Sequence, residues 1–138
     1  MQRIPIAFVC LLSLIDAHGT EEDECKDSLS NYCRAQHIHS EYEVADKKLN
    51  QAYQALLKSI LKDSEPQRLK ESLLTSQHVW IQFRDKSCDF VALIEVPGPR
   101  GGQSVKCLTH LTNERTKQLT EYRLCLEHDE EKCRYVFP

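Results

Sequence analysis

Three stretches of the chain place apolar side chains at steps of three and four residues, the spacing of one helix face. The first runs from about Asp27 to Lys62. Tyr42, Ala45, Leu49, Ala52, Tyr53, Leu56 and Ile60 form its stripe, while Glu43, Asp46, Lys47, Lys48 and Gln51 lie largely off it. A helix of that length is unusual, so a bend is expected near His39-Ser40. The second opens at Ser64-Glu65-Pro66, where serine can cap orphan amides and proline suits the first turn. Its stripe is Leu69, Leu73, Trp80, Phe83 or Arg84, Cys88 and Val91, and Pro97-Gly98-Pro99-Arg100-Gly101-Gly102 ends it, since proline and paired glycine do not continue a helix. The third begins near Ser104 with Val105, Leu108, Leu111, Arg115, Leu119 and Tyr122, offers Lys117 and Glu121 as a surface pair, and leaves the helix after Leu126. Short connections between three such segments predict an all-α fold, a small three-helix antiparallel bundle.

The chain's first residues change the picture by assigning a compartment. Arg3 precedes a run from Ile4 to Ile15 that is apolar apart from Ser13, and Ala17-His18-Gly19 supplies small residues at −3 and −1 of a cleavage site. This is the pattern of a secretory signal peptide, with an apolar run too short for a membrane span. Residues 1–19 are therefore expected to be a signal peptide and 20–138 one helical domain, exported to the periplasm or the extracellular space. Cys10 lies inside the apolar run, with Val9 where a lipoprotein would carry a small residue. No later apolar run is long enough to cross a bilayer.

Export gives the cysteines their meaning. Of seven, six follow Gly19: Cys25, Cys33, Cys88, Cys107, Cys125 and Cys133. An even set in an exported chain reads as a disulfide framework. Zinc is disfavoured because no C-x2-C or C-x4-C pair is present, and no metal or other cofactor is expected. Positions eight apart on a helix are separated by ~12 Å along its axis, beyond the ~7 Å that a disulfide spans. Cys25–Cys33 therefore requires Cys25 to lie outside the helix, and Cys125–Cys133 requires a loop through the polar stretch after Leu126. Cys88–Cys107 flanks the proline–glycine segment at the facing ends of the second and third helices. A set such as Cys25 with Cys125 is the rival pairing. A net charge of −3 suits a basic protein partner better than nucleic acid, which calls for clustered Lys and Arg.

Longer strings then become specific. Cys25…Asn31-Tyr32-Cys33 with Ala45-Asp46-Lys47-Lys48-Leu49-Asn50-Gln51-Ala52-Tyr53, Gln77-His78-Val79-Trp80-Ile81-Gln82-Phe83-Arg84-Asp85-Lys86-Ser87-Cys88, and Gly102-Gln103-Ser104-Val105-Lys106-Cys107-Leu108 through Thr112-Asn113-Glu114-Arg115-Thr116-Lys117-Gln118-Leu119 stand in order. Together with Cys125…Cys133 they resemble the lysozyme inhibitor LprI-like family, over Cys25 to about Cys133. The middle string follows Q-x-x-W-x-x-x-R-D-x-x-C and the last C-L-x-x-x-T-x-x-R-x-x-x-L. Departures are mild: a compressed glycine loop before Ser104, and His37-Ile38-His39 in place of an ordinary polar stretch. The resemblance implies an exported, cysteine-bonded helical domain, with lysozyme inhibition attributed to part of the family.

The motif residues Asp46, Asn50, Trp80, Arg84, Asp85, Thr112 and Arg115 form a candidate polar cluster, read as a buried Arg–Asp network clamping three helices rather than as a catalytic site. No Ser/His/Asp order, nucleophile elbow or phosphate-binding glycine loop accompanies them, so no enzyme is expected. His37 and His39 point nearly opposite ways on a helix, and His78 and His110 are read as solvated. The expected function is non-enzymatic inhibition of lysozyme or a related cell-wall hydrolase by protein contact. Arg100, Gly101 and Gln103 of the proline–glycine loop are candidate contact residues, and the acidic Glu21 to Glu24 are an alternative contact. The rival functions are an envelope immunity or adaptor protein for another partner and, third, a hydrolase with an unrecognised carboxylate site.

Overall fold

The computed structural model describes residue 25, residues 30–95 and residues 102–128. Among them are three helices and no strand: α1 (Asn31–Ile60), α2 (Pro66–Ile94) and α3 (Gln103–His128). Helix α1 starts where Ser30 Oγ accepts the backbone N–H of Cys33 at 3.1 Å, an N-cap that satisfies one orphan donor. Asp27, the expected start, lies outside the described residues. The helix then continues unbroken through His39-Ser40 to Ile60; the register of Ile38, Ala45 and Leu49, all buried, keeps one face inward without an interruption.

The start of α2 differs from the serine cap that the sequence suggests. Ser64 Oγ turns to Asp63 Oδ1, and the same carboxylate accepts the backbone N–H of Glu65 at 3.0 Å. Glu65 occupies the N-cap position with no side-chain cap bond, and Pro66 opens the helix. The aspartate outcompetes the hydroxyl because an ionised acceptor makes the stronger bond to an amide.

Two contacts fix the directions of the helices. Gly102 before α3 lies against Ile38 near the start of α1, and Ser59 Oγ near the end of α1 donates to Glu127 Oε1 near the end of α3 at 2.6 Å. Helices α1 and α3 therefore run the same way and α2 runs against both. The core gathers Leu49, Leu56 and Ile60 from α1, Leu73 from α2 and Leu119 from α3, with Ala52, Tyr53, Leu57, Leu69, Trp80 and Tyr122 packed around it. Helix α3 is the middle layer. It takes most of its packing from α1 and some from α2, while α1 and α2 hardly touch.

Two disulfides lie within the described residues. Cys25 sits outside α1, so Cys25–Cys33 closes with Cα atoms 5.1 Å apart. Cys88–Cys107 joins α2 to α3 with Cα atoms 5.6 Å apart. Cys125 is also disulfide-bonded; Cys133, its expected partner, lies outside the described residues, as do the leader at 1–19 and the acidic Glu21 to Glu24.

On the surface of α3, Lys117 pairs at 2.6 Å with Glu114 rather than with the expected Glu121. A glutamate on the N-terminal side of its lysine is the favoured orientation. The hydrogen bond and charge of Lys117 hold the Glu114 carboxyl below the usual carboxylate range, and Glu114 raises Lys117 above the usual lysine range. The glutamate's contribution is full above its unfolded range and is lost as pH falls through its lowered folded value. The lysine's is full below its unfolded range and is lost as pH rises through its raised value.

Candidate functional site

The sequence cluster assembles around Trp80, which α2 holds half-buried between two arginines. Arg84 lies one turn further along α2 and points inward, whereas Phe83, the other candidate for that face, points out. The Arg84 guanidinium meets Asp85 through Nε and Nη2, both at 2.8 Å. Its Nη1 reaches Asp46 of α1 at 3.9 Å and donates to Thr112 of α3 at 3.5 Å. Its faces lie over the rings of Tyr42 and Trp80, at 5.8 and 5.3 Å from their centroids, so ring quadrupoles add to the ion pairing. Asn50 Nδ2 donates to Asp46 Oδ2 at 3.0 Å and fixes that carboxylate from one turn along α1. One side chain thus ties all three helices together.

Arg115 departs from the expected Arg–Asp network. Among the described residues no carboxylate stands within ion-pair distance of it. Instead Nε donates to Gln77 Oε1 at 3.0 Å, Nη2 to Ser76 Oγ at 3.1 Å and Nη1 to Gln118 Oε1 at 3.1 Å, and the guanidinium lies 5.7 Å from the Trp80 ring centroid. Burial pushes the Arg115 pKa below the usual guanidinium range, opposed by the nearby Tyr122 hydroxyl. Neutral acceptors, not a counter-charge, hold this arginine. Ser76, Gln118 and Tyr122 were absent from the sequence cluster. Gln77 was legible in the Q-x-x-W string, since a residue three before Trp80 shares its face.

The arginines are 8% and 7% exposed and Thr112 is 0% exposed, whereas the side chains of Asp46 and Asp85 at the rim are 45% and 49% exposed. Among the described residues no group of three His, Cys, Asp or Glu could hold a metal. The cluster is a clamp. Replacing Arg84 by methionine keeps the stem's packing, frees a desolvated charge and leaves half-exposed carboxylates that water can reach; a cost of about 1 kcal/mol is expected. Arg84→Ala also removes the stem beneath Trp80, raising the expected cost to about 2 kcal/mol. Urea denaturation of both variants checks the contrast, and a methionine variant as unstable as the alanine one refutes it.

Two surface features remain. An apolar groove of about 270 Å³ lies where the end of α1, the first half of α2 and the end of α3 meet, lined by Leu56, Ile60, Leu69, Leu73, Tyr122 and Leu126 among others. At the opposite end, the described residues on either side of the proline–glycine segment are braced. Glu95 Oε1 accepts the backbone N–H of Gln103 at 3.1 Å. Gly102 has φ +89°, a backbone conformation that favours glycine, and an added Cβ would stand 3.0 Å from Ile38 Cδ1, pressing on the end of that side chain. Of the candidate contact residues, Gln103 opens α3 and is exposed, while Arg100 and Gly101 lie outside the described residues. His78 and His110 are both exposed, and His37 Nε2 contacts the carbonyl oxygen of Cys25 at 3.3 Å.

No helix among the described residues is long and apolar enough to cross a membrane. No solved structure matches the chain. The chain is similar to the uncharacterized protein YecT of Escherichia coli strain K12, with 31% identity over 98 residues, 62% of this chain and 60% of that relative. It thus spans about three fifths of the relative's length. The family model described as lysozyme inhibitor LprI matches residues 25–119, which takes in the clamp, both described disulfides and Leu119 of the core. The chain belongs to the lysozyme inhibitor LprI family.

Proposed function

We propose that this chain is an exported, non-enzymatic inhibitor that blocks lysozyme or a related cell-wall hydrolase by protein–protein contact. The family match carries this reading, and the disulfides accord with an oxidising compartment. Lysozyme works with two carboxylates in a cleft, so a cation presented on a restrained loop is a chemically suitable plug. Arg100 is the assigned contact, with Gly101 and Gln103 beside it. The restraints on the flanking residues, Cys88–Cys107, the Glu95–Gln103 bond and the Gly102 seat on Ile38, support this assignment because tethered ends leave less entropy to lose on binding.

The test is clearing of a bacterial cell suspension by lysozyme. Added in molar excess, the mature protein is expected to slow clearing, and Arg100→Ala to weaken inhibition at least about tenfold, as loss of a central interface arginine does. Unchanged clearing at excess protein overturns inhibition of lysozyme; capture of a different protein from an envelope extract would then favour the adaptor role. Inhibition indifferent to Arg100→Ala removes Arg100 and moves the contact toward Glu21 to Glu24.

A further inference from the structure

Helix α2 turns much of its apolar surface away from the rest of the protein. Only Leu73, Arg84 and Cys88 of its 29 residues are buried. Val79, Phe83, Phe90 and Leu93 are exposed, from 57% at Phe83 to 83% at Leu93, and Ile94 beside them is exposed as well. These positions share one side of the helix. With Lys86 they step along it by four, three, four and three residues, the spacing of a coiled-coil seam. The inward face is different, built from Leu73, Trp80, Arg84 and Cys88, so among the described residues this seam is not the one that packs on α3.

The seam reads almost the same in both directions. Reversed about Lys86, Val79 falls opposite Leu93, while Phe83 falls opposite Asp89, one residue or ~1.5 Å short of Phe90, so the phenylalanines of an antiparallel pair sit side by side rather than in one layer. At the centre, Lys86 Nζ stands 3.3 Å from Asp89 of its own chain. A two-fold axis there sets two lysines among two aspartates, which offsets the like charges and fixes the register as a lone polar seam position does. The area exposed by these residues, counted on two copies, is on the order of 1,000 Å², at the lower limit for a specific interface. From these features we infer that α2 pairs antiparallel with α2 of a second copy of this chain, through Val79, Phe83, Phe90 and Leu93 around Lys86. At ~1.5 Å per residue the C-terminal ends of the two α2 helices then lie at opposite ends of the dimer.

Sedimentation analysis of the oxidised protein over a micromolar concentration series tests the pairing. The wild type is expected to dimerise, and Phe83→Glu with Phe90→Glu to be monomeric with an unchanged helical spectrum, because both side chains are already in water. Direction is tested by mixing Val79→Cys chains with Leu93→Cys chains under mild oxidant. Antiparallel pairing gives the cross-linked heterodimer in preference to either homodimer, whereas parallel pairing gives homodimers. A wild type that stays monomeric, a dimer that survives both phenylalanine changes, or homodimer cross-links each overturn the inference. A monomeric wild type whose hydrolase inhibition is lost on Phe83→Glu would assign the face to the hydrolase instead.

Discussion

Replacing Leu119 by alanine is expected to remove about 3–5 kcal/mol of stability, a large share of what a domain of this size possesses. Leu119 is 0% exposed and belongs to the cluster that joins Leu49, Leu56 and Ile60 of α1 to Leu73 of α2. It lies on α3, the helix packed on both sides, so truncation opens space that rigid backbones on two flanks cannot close. That places the cost in the upper part of the range for buried leucines. In a chain of this length such a loss lowers the melting temperature by on the order of 15 °C. Leu74→Ala is the control: the same atoms are deleted from a side chain that is 58% exposed and lies off the proposed pairing face, and a change within about 0.5 kcal/mol is expected. Urea denaturation of both variants with disulfides intact measures the difference. Equal losses at the two positions would mean that Leu119 is not at the centre of the core.

The second large effect concerns Cys88–Cys107. Replacing both by serine is expected to cost about 3 kcal/mol, the chain entropy regained by the unfolded state when a loop spanning 19 residues is released. The shorter Cys25–Cys33 closure, with a separation of 8, constrains less chain and is expected to contribute less. The loss should also be uneven. Cys88 is one of three buried residues on α2, so without the bond its C-terminal half is held mainly by the Arg84 clamp. Hydrogen exchange is expected to quicken in residues 85–94 while the paired faces of α1 and α3 stay protected. Uniform acceleration across all three helices would show instead that the bond acts only on the unfolded chain.

Much of the scaffold was legible because helical periodicity reports burial directly. Ala45, Leu49, Leu56, Ile60, Leu73 and Leu119 all stand on the stripes read from spacing, and all are buried. The positions of the proline–glycine segment and of Cys88 and Cys107 gave the α2–α3 hairpin for the same local reason. Choices among near-equivalent local partners were harder to read. Asp63 rather than Ser64 braces the start of α2, and Glu114 rather than Glu121 takes Lys117, since several acceptors fall within reach and charge and orientation decide.

The clamp was half legible. Arg84 with Asp85, Asp46 and Thr112 followed from motif residues on three helices. The surroundings of Arg115 did not, because a guanidinium satisfied by Ser76, Gln77 and Gln118 leaves no opposite charge in the sequence to search for. The choice between Phe83 and Arg84 also went against hydropathy. An arginine between Tyr42 and Trp80, with carboxylates at its rim, takes the inward place and leaves the phenylalanine in water.

The position of Trp80 has a practical corollary. It is the chain's single tryptophan, and cations from α2 and α3 flank its ring. Its emission therefore comes from one place, the junction where those two helices meet. Any event that pries them apart moves the indole into bulk solvent and away from both guanidinium groups, changing colour and intensity together. The protein carries its own optical gauge of that junction, without a dye and without a competing signal.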